Sequence, residues 1–330
     1  MKSMTVLVTG AAGFIGYHVS EALLARGERV IGVDILNDYY DVNLKFARRD
    51  RLMRHDAFEF IKIDIGDREA MNALAAANPD ITTIIHLAAQ AGVRYSLENP
   101  FAYIESNVIG HLVMLEMCRN MKGLEHFVYA SSSSVYGGNT KLPFSVDDPT
   151  DTPVSIYAAT KKMDELMSHS YSHLFGIPAT GLRFFTVYGP WGRPDMAAYI
   201  FLDAIFAGRP IPVFNNGEMM RDFTFVDDIV KGILAVADGP PSGDGAPHRV
   251  FNIGNNRSEP LMRFIEMIEK AAGRKAEIDF QPMQPGDVPA TYADISAIQN
   301  EFGFEPSTSI DEGIPRFVEW YREYHGMDRN

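Results

Sequence analysis

Tyr157 and Lys161, in the run Tyr157-Ala158-Ala159-Thr160-Lys161, set a phenol and an amine four residues apart. On a helix that spacing puts both on one face, one turn from each other. An ammonium there favours the phenolate, a base that can take a proton from an alcohol while hydride leaves the carbon. The same spacing also fits an exposed helix face, so its meaning depends on the rest of the chain. A cluster of small hydroxyl side chains, Ser131 to Ser134, precedes it.

The chain opens with a β-branched run, Met4-Thr5-Val6-Leu7-Val8, ending in Thr9-Gly10-Ala11-Ala12-Gly13-Phe14-Ile15-Gly16. Ile15, Val19, Ala22 and Leu23 then recur at helical spacing, and Gly27 is placed to stop the helix. Strand, glycine turn and helix form the context of a dinucleotide fingerprint. The glycines allow a tight turn and close approach to a pyrophosphate, and the helix start offers free N–H groups. Arg29 to Val33 predicts the next strand. It ends at Asp34, whose carboxylate is expected on the adenosine ribose, where it repels a 2′-phosphate. The expected cofactor is NAD rather than NADP; the plainer alternative for Asp34 is a turn at a strand end.

With 330 residues, 46% of them hydrophobic, the chain can build a full α/β core and a smaller lobe. A formal charge of −13 argues against a nucleic-acid partner. An anionic substrate would instead need a few well-placed arginines. Cys118 is the only cysteine, which excludes an intramolecular disulfide and a multi-cysteine metal site. Nine histidines are scattered without ligand spacing, so no metal is expected; His86, His111, His126 and His169 read as packing or helix-surface groups. Met1-Lys2-Ser3 leaves no room for a signal peptide, and no apolar stretch approaches membrane-spanning length. A cytoplasmic protein without membrane contact is expected.

Phe58 to Asp64 predicts a strand, Arg68 to Ala77 a helix, Thr82 to Ala89 a strand and Phe101 to Met121 a long helix. Phe127 to Ser131, Ile156 to Phe175 and Ala179 to Val187 follow as strand, helix and strand. Such alternation predicts an α/β fold, a doubly wound parallel Rossmann sheet covered on both faces. Beyond Val187 the rhythm breaks into loops, from Gly189 to Pro194 first, marking a smaller mixed α/β C-terminal lobe for substrate. Phe225 to Ala237 has helical period and Val250 to Ile253 reads as a returning strand, with Asp238 to Pro247 a surface loop. The cofactor domain is then discontinuous, residues 1–188 plus about 222–258, and the lobe takes about 189–221 plus 259–330. Helices Phe101 to Met121 and Ile156 to Phe175 carry more apolar surface than one buried face needs, which predicts a homodimer through a helix bundle. Tyr171 and Phe175 could equally be ordinary core.

Gly10, Gly13, Gly16, Asp34, Asp64-Ile65, Leu87-Ala88-Ala89, Asn107, the serine cluster and Tyr157-x-x-x-Lys161, in this order, resemble the extended short-chain dehydrogenase/reductase superfamily over almost the whole chain. Within it the chain is similar to the UDP-glucuronate 4-epimerases. The markers are Asp38 to Lys45, Ala89 to Ser96, Ala130 to Gly137 and Arg183 to Met196.

The resemblance implies roles, position by position. Tyr157 would be the general base and acid, Lys161 would hold the nicotinamide ribose and tune Tyr157, and Ser132 would stand at the catalytic Ser/Thr. Ser133 and Ser134 would line the sugar. Gly10, Gly13, Phe14, Ile15 and Gly16 would form the dinucleotide turn, Asp64 and Ile65 would meet adenine, Leu87, Ala88 and Ala89 would line the cofactor, and Asn107 would support its polar network. Thr186 and Arg193 would face the sugar or its carboxylate, Arg221 the diphosphate and Asp287 the uridine ribose. Plainer alternatives stand beside these: Arg221 paired with Asp222 at the surface, Arg193 solvated, Asp287 a turn residue, and Arg94, which could approach substrate, bridged to Glu98. Gln284 stands near where galactose-type relatives place a phosphate-binding arginine, leaving more of that charge to Arg221.

The implied activity is interconversion of UDP-glucuronate and UDP-galacturonate by transient C4 oxidation, rotation of the 4-keto sugar and hydride return. UDP-glucuronate decarboxylase or another UDP-sugar 4-epimerase is the alternative. Related dehydratases and decarboxylases place an acidic residue just before Val-Tyr-Gly; here that position is Ser134, which serves elimination poorly.

Overall fold

The computed structural model describes residues 4–243 and 245–327. Met1-Lys2-Ser3, on which the reading of the chain's start rested, lies outside them. Strand β1 (Thr5–Thr9) sends Val6 and Val8 into one apolar cluster and Leu7 into another, as a strand buried on both faces must. Helix α1 (Phe14–Ala25) follows the glycine turn, and Gly27, at φ +82°, turns the chain out of it. Then come β2 (Arg29–Asp34), α2 (Val42–Leu52), β3 (Phe58–Lys62), α3 (Arg68–Ala77) and β4 (Ile81–His86).

Two short helices, α4 (Tyr95–Glu98) and α5 (Pro100–Tyr103), lead into a π turn over Ile104–Ile109 and then α6 (Gly110–Asn120). The long regular helix expected from Phe101 to Met121 is thus interrupted. The wider turn carries Asn107, 2% exposed, where its side chain accepts from the Gln90 N–H at 2.8 Å. Its amide donates to the Gln90 carbonyl and the Thr160 hydroxyl, each at 3.0 Å. Such turns are rare and concentrate at functional sites.

After β5 (His126–Ser132) and a 3₁₀ turn, Ser133–Tyr136, helix α7 (Ile156–Phe175) and strand β6 (Ala179–Phe184) complete the winding. The single strand expected from Ala179 to Val187 divides at buried Phe185, and β7 (Thr186–Tyr188) crosses into a different sheet. The rest is α8 (Ala197–Ala207), β8 (Ile211–Val213), β9 (Met220–Phe225), α9 (Val226–Ala237), β10 (His248–Ile253), β11 (Ser258–Pro260), α10 (Leu261–Ala272), β12 (Ile278–Phe280), α11 (Ser296–Phe302) and α12 (Ile310–Tyr324).

Seven parallel strands run in the order β10-β6-β5-β4-β1-β2-β3. The winding reverses between β1 and β4, and at such a point a crevice opens beyond the carboxyl ends of the strands. Beside this sheet stand a three-stranded sheet, β11-β9-β7, and the parallel pair β12-β8. Along α5 to α7 several large apolar side chains stay in the open, with Phe101 74%, Leu166 56% and Leu174 66% exposed. No helix among the described residues is long and apolar enough to cross a membrane.

Candidate active site

A cavity of about 800 Å³ occupies the crevice, and every residue expected to bind or react lines it except Asn107, which lies buried behind. At one end is the glycine turn. Gly10 sits at φ +72°, and a Cβ there would come within 2.8 Å of the Ala88 nitrogen, so only glycine fits. Gly13 begins α1 without a side-chain cap and no acidic residue follows in the first turn, which leaves the helix start free for an anion. Asp34 ends β2, accepting from the N–H groups of Ala12 at 3.1 Å and Leu36 at 2.8 Å. Burial pushes its carboxyl above the ordinary range, against those hydrogen bonds and the charges of Lys45 and Arg48. Lys45 itself donates to the Asn37 carbonyl at 2.6 Å. Asp64 accepts from the Gly66 N–H at 2.9 Å, and Ile65 is buried against Gly110. An open helix start, a carboxylate at a strand end and an apolar wall fit a dinucleotide.

Helix α7 supplies the middle of the cavity. Ser155 caps its start by accepting from the Ala158 N–H at 3.1 Å, and Gly176, at φ +68°, closes its end. Tyr157 and Lys161 both line the cavity one turn apart. The Tyr157 ring meets Tyr103 edge-on at 6.0 Å, and its hydroxyl has no hydrogen-bond partner among the described residues. Lys161 donates to the Ala130 carbonyl at 2.9 Å and to Asp164 at 3.0 Å. The serines divide: Ser131 is drawn back by a 2.6 Å bond to Glu165, whereas Ser132 donates to Ser134 at 3.1 Å on the cavity wall. Glu165 is also gripped by Arg183 at 2.8 and 2.9 Å. Burial raises the Glu165 carboxyl, but Arg183 outweighs it and holds the group below its usual range.

The far end is basic and tethered. Arg193 is half-buried and paired; its Nε donates to Asp195 at 3.0 Å, and Tyr39 donates to the same carboxylate at 3.1 Å. Burial acts to raise Asp195, and Arg193 overcomes it, keeping the carboxyl low. Arg221 does not pair with Asp222, which is fully buried and accepts from Thr224 and from the Asn255 and Ala293 N–H groups. Its guanidinium donates to the carbonyls of Met220 and Pro289 at 2.9 and 3.2 Å, leaving its charge without a carboxylate partner among the described residues. Arg94 does not bridge to Glu98 but reaches Asp287 at 3.4 Å, its guanidinium 4.4 Å above the Phe214 ring. Asp287 is therefore both a turn residue, its N–H bonded to the Gln284 carbonyl at 3.2 Å, and half of an ion pair across the cavity mouth. Thr186 lines the wall from β7.

Sequence reasoning passed over three groups. Tyr39 lies in the stretch Asp38 to Lys45 and Asp195 in Arg183 to Met196, and the resemblance implies no role for either, although a carboxylate two residues from Arg193 is a visible signal. Arg48 had none. It is fully buried on α2, donating to the Ala12 carbonyl at 3.1 Å, Tyr40 at 2.8 Å and the Trp191 and Gly192 carbonyls at 2.5 and 3.2 Å. One guanidinium thus joins the glycine turn to the loop that carries Arg193.

Comparison with known proteins agrees with this geometry. A probable UDP-glucuronate 4-epimerase of Rhizobium meliloti is 48% identical over 96% of this chain and 97% of its own length. UDP-glucuronate 4-epimerase 4 of Arabidopsis thaliana is 48% identical over 99% of this chain and 77% of its own. The crystal structure of UDP-glucuronic acid 4-epimerase from Bacillus cereus, in complex with UDP-glucuronic acid and NAD, superposes with a TM-score of 0.90 at 34% identity, covering 97% of this chain and all of that one. Residues 6–254 match the model of the NAD dependent epimerase/dehydratase family, and the chain belongs to that family.

Proposed function

We propose that this protein interconverts UDP-glucuronate and UDP-galacturonate, with NAD as its bound cofactor. The observation that carries the reading is the cavity that joins an uncapped helix start, the Tyr157 and Lys161 face of α7, and Arg221, which makes no direct ion pair among the described residues. When bound, NAD supplies reversible hydride acceptance at C4. Tyr157 takes the 4-hydroxyl proton and later returns it. Lys161 favours the phenolate and holds the nicotinamide ribose; Ser132 bonds the reacting oxygen; Ser133 and Ser134 leave the ring room to turn. Asp34 meets the adenosine ribose, Asp64 and Ile65 the adenine, while Arg221 and Asp287 anchor the diphosphate and uridine. That remote grip retains the 4-keto sugar while it rotates.

Oxidation at C4 makes a β-keto acid, which loses carbon dioxide when the carboxylate aligns with the carbonyl π system. Arg193 and Thr186 hold the carboxylate out of that alignment through directional, charge-assisted bonds. Ser134, in place of an acidic residue, leaves elimination without its proton donor. We also assign residues 1–188 plus about 222–258 to the cofactor domain and the remainder to the substrate lobe, the apolar face of α5 to α7 to a homodimer contact, and the cytoplasm as the site of action. Purified protein incubated with UDP-glucuronate tests the activity: the 4-epimer supports it, whereas a pentose with carbon dioxide, or unchanged substrate, refutes it.

A further inference from the structure

Lys161 is anchored from behind the cavity wall. Its ammonium is 3.0 Å from the Asp164 carboxylate, and the two side chains are 5% and 1% exposed. The second Asp164 oxygen, Oδ1, is buried without a hydrogen-bond partner among the described residues. The neighbouring Glu165 differs, for Ser131 and Arg183 occupy both of its oxygens. A desolvated carboxylate with a spare oxygen is costly, and an amide or hydroxyl would fill the position at lower cost. Among the described residues its charged hydrogen-bond partner is the lysine of the reacting pair.

We propose that Asp164 is a positioning residue for Lys161, holding its ammonium in the wall and, when ionised, limiting how strongly that charge favours the Tyr157 phenolate. This rests on Tyr157 and Lys161 acting as the acid and base of the proposed reaction. Burial pushes the Asp164 carboxyl up to about 7, against the attraction of Lys161 and with help from Glu165, so it changes charge near neutral pH. The surrounding groups do not supply that change. His111 on α6 and His86 on β4 are held neutral by burial, as is His248 on β10. Burial likewise keeps Tyr129 on β5 protonated, and Glu165 is paired with Arg183 from β6. Tyr103 on α5 faces Tyr157 as a neutral phenol, raised by burial. Below pH 7 a neutral Asp164 leaves the Lys161 charge uncancelled; above it the two charges offset each other.

Asp164→Asn keeps the size and the acceptor but fixes the neutral state, and the holoenzyme carries the test. The acid limb of kcat/KM for UDP-glucuronate is expected to superimpose on wild type well below pH 7, where Asp164 is already neutral, and to lie above it by up to about tenfold from pH 7 upward, where wild-type Asp164 is ionised. Asp164→Ser changes it the same way and serves should the amide disturb folding. Thermal unfolding gives a second readout independent of turnover. A carboxyl raised in the folded state costs stability as pH climbs from about 4 to 8, so the melting temperature of Asp164→Asn should gain on wild type across that range. An active wild type whose pH profile superimposes on both variants overturns this inference alone. A wild type that epimerises no UDP-glucuronate overturns the proposed function, and this inference with it.

Discussion

The Tyr157 hydroxyl is the one group at the cavity whose loss should leave binding intact and chemistry absent. Tyr157→Phe is expected to lower kcat by at least about 100-fold, the scale of a lost general acid or base, with NAD and UDP-sugar affinities within a few-fold of wild type. Retained turnover would remove Tyr157 from that role. Arg193 makes a different prediction, because Asp195 already holds it. Arg193→Ala both takes the cation from the half-buried Asp195 and frees the sugar carboxylate, so KM should rise and labelled carbon dioxide should appear from carboxyl-labelled UDP-glucuronate. Wild-type KM without carbon dioxide would sink the proposed grip. Tyr157, Lys161 and the glycines were legible because their meaning lies in local spacing. The tie from Tyr39 to Asp195 was not, since it joins two loops 156 residues apart, which no local pattern encodes.

Among elements, the same division holds. The windings from β1 to β6 follow from apolar runs and glycine stops, and α7 was readable to the residue because Ser155 and Gly176 mark both ends. Helix α2 was passed over because two of the residues it buries are Lys45 and Arg48, which erase the apolar stripe that periodicity detects. The π turn was equally invisible, for its cause is tertiary: Asn107 satisfies the backbone of Gln90 and the hydroxyl of Thr160. Asn107→Ala should therefore cost about 1–3 kcal/mol in denaturant unfolding, the scale of buried polar groups left unpaired. A change within a few tenths would mean that the turn forms without it. Small strands such as β8, β11 and β12 carry three residues each, too few for any period to show.

At the scale of the molecule, burial sets the response to acid. His86 is pushed down to about 3, His18, His126 and His248 to about 4, and His111 well below its ordinary range, each by burial. Each stays neutral when folded but takes a proton once unfolded near pH 6.5, so each contributes stability that is lost as pH falls from there towards 4. Asp164, Asp222 and Asp34, raised by burial, act in the opposite sense but are fewer. The melting temperature is expected to fall steadily between pH 6.5 and 4, and a flat profile would contradict these burial assignments. Light scattering tests the apolar face of α5 to α7, where Leu166→Glu should convert a dimer into monomers; a wild-type monomer at micromolar concentration ends that reading.

The buried guanidinium of Arg48 sets a further condition on how the protein works over many cycles. Three of its four hydrogen bonds tie the glycine turn to the loop that carries Arg193, so that end of the crevice cannot gape without stranding a desolvated cation. A reaction that restores its own oxidant gains nothing from swapping it, and a clasp of this kind favours a resident dinucleotide over a visiting one. Arg48→Met should turn the resident into a visitor: gel filtration would strip the nucleotide, and added NAD would bring the rate back.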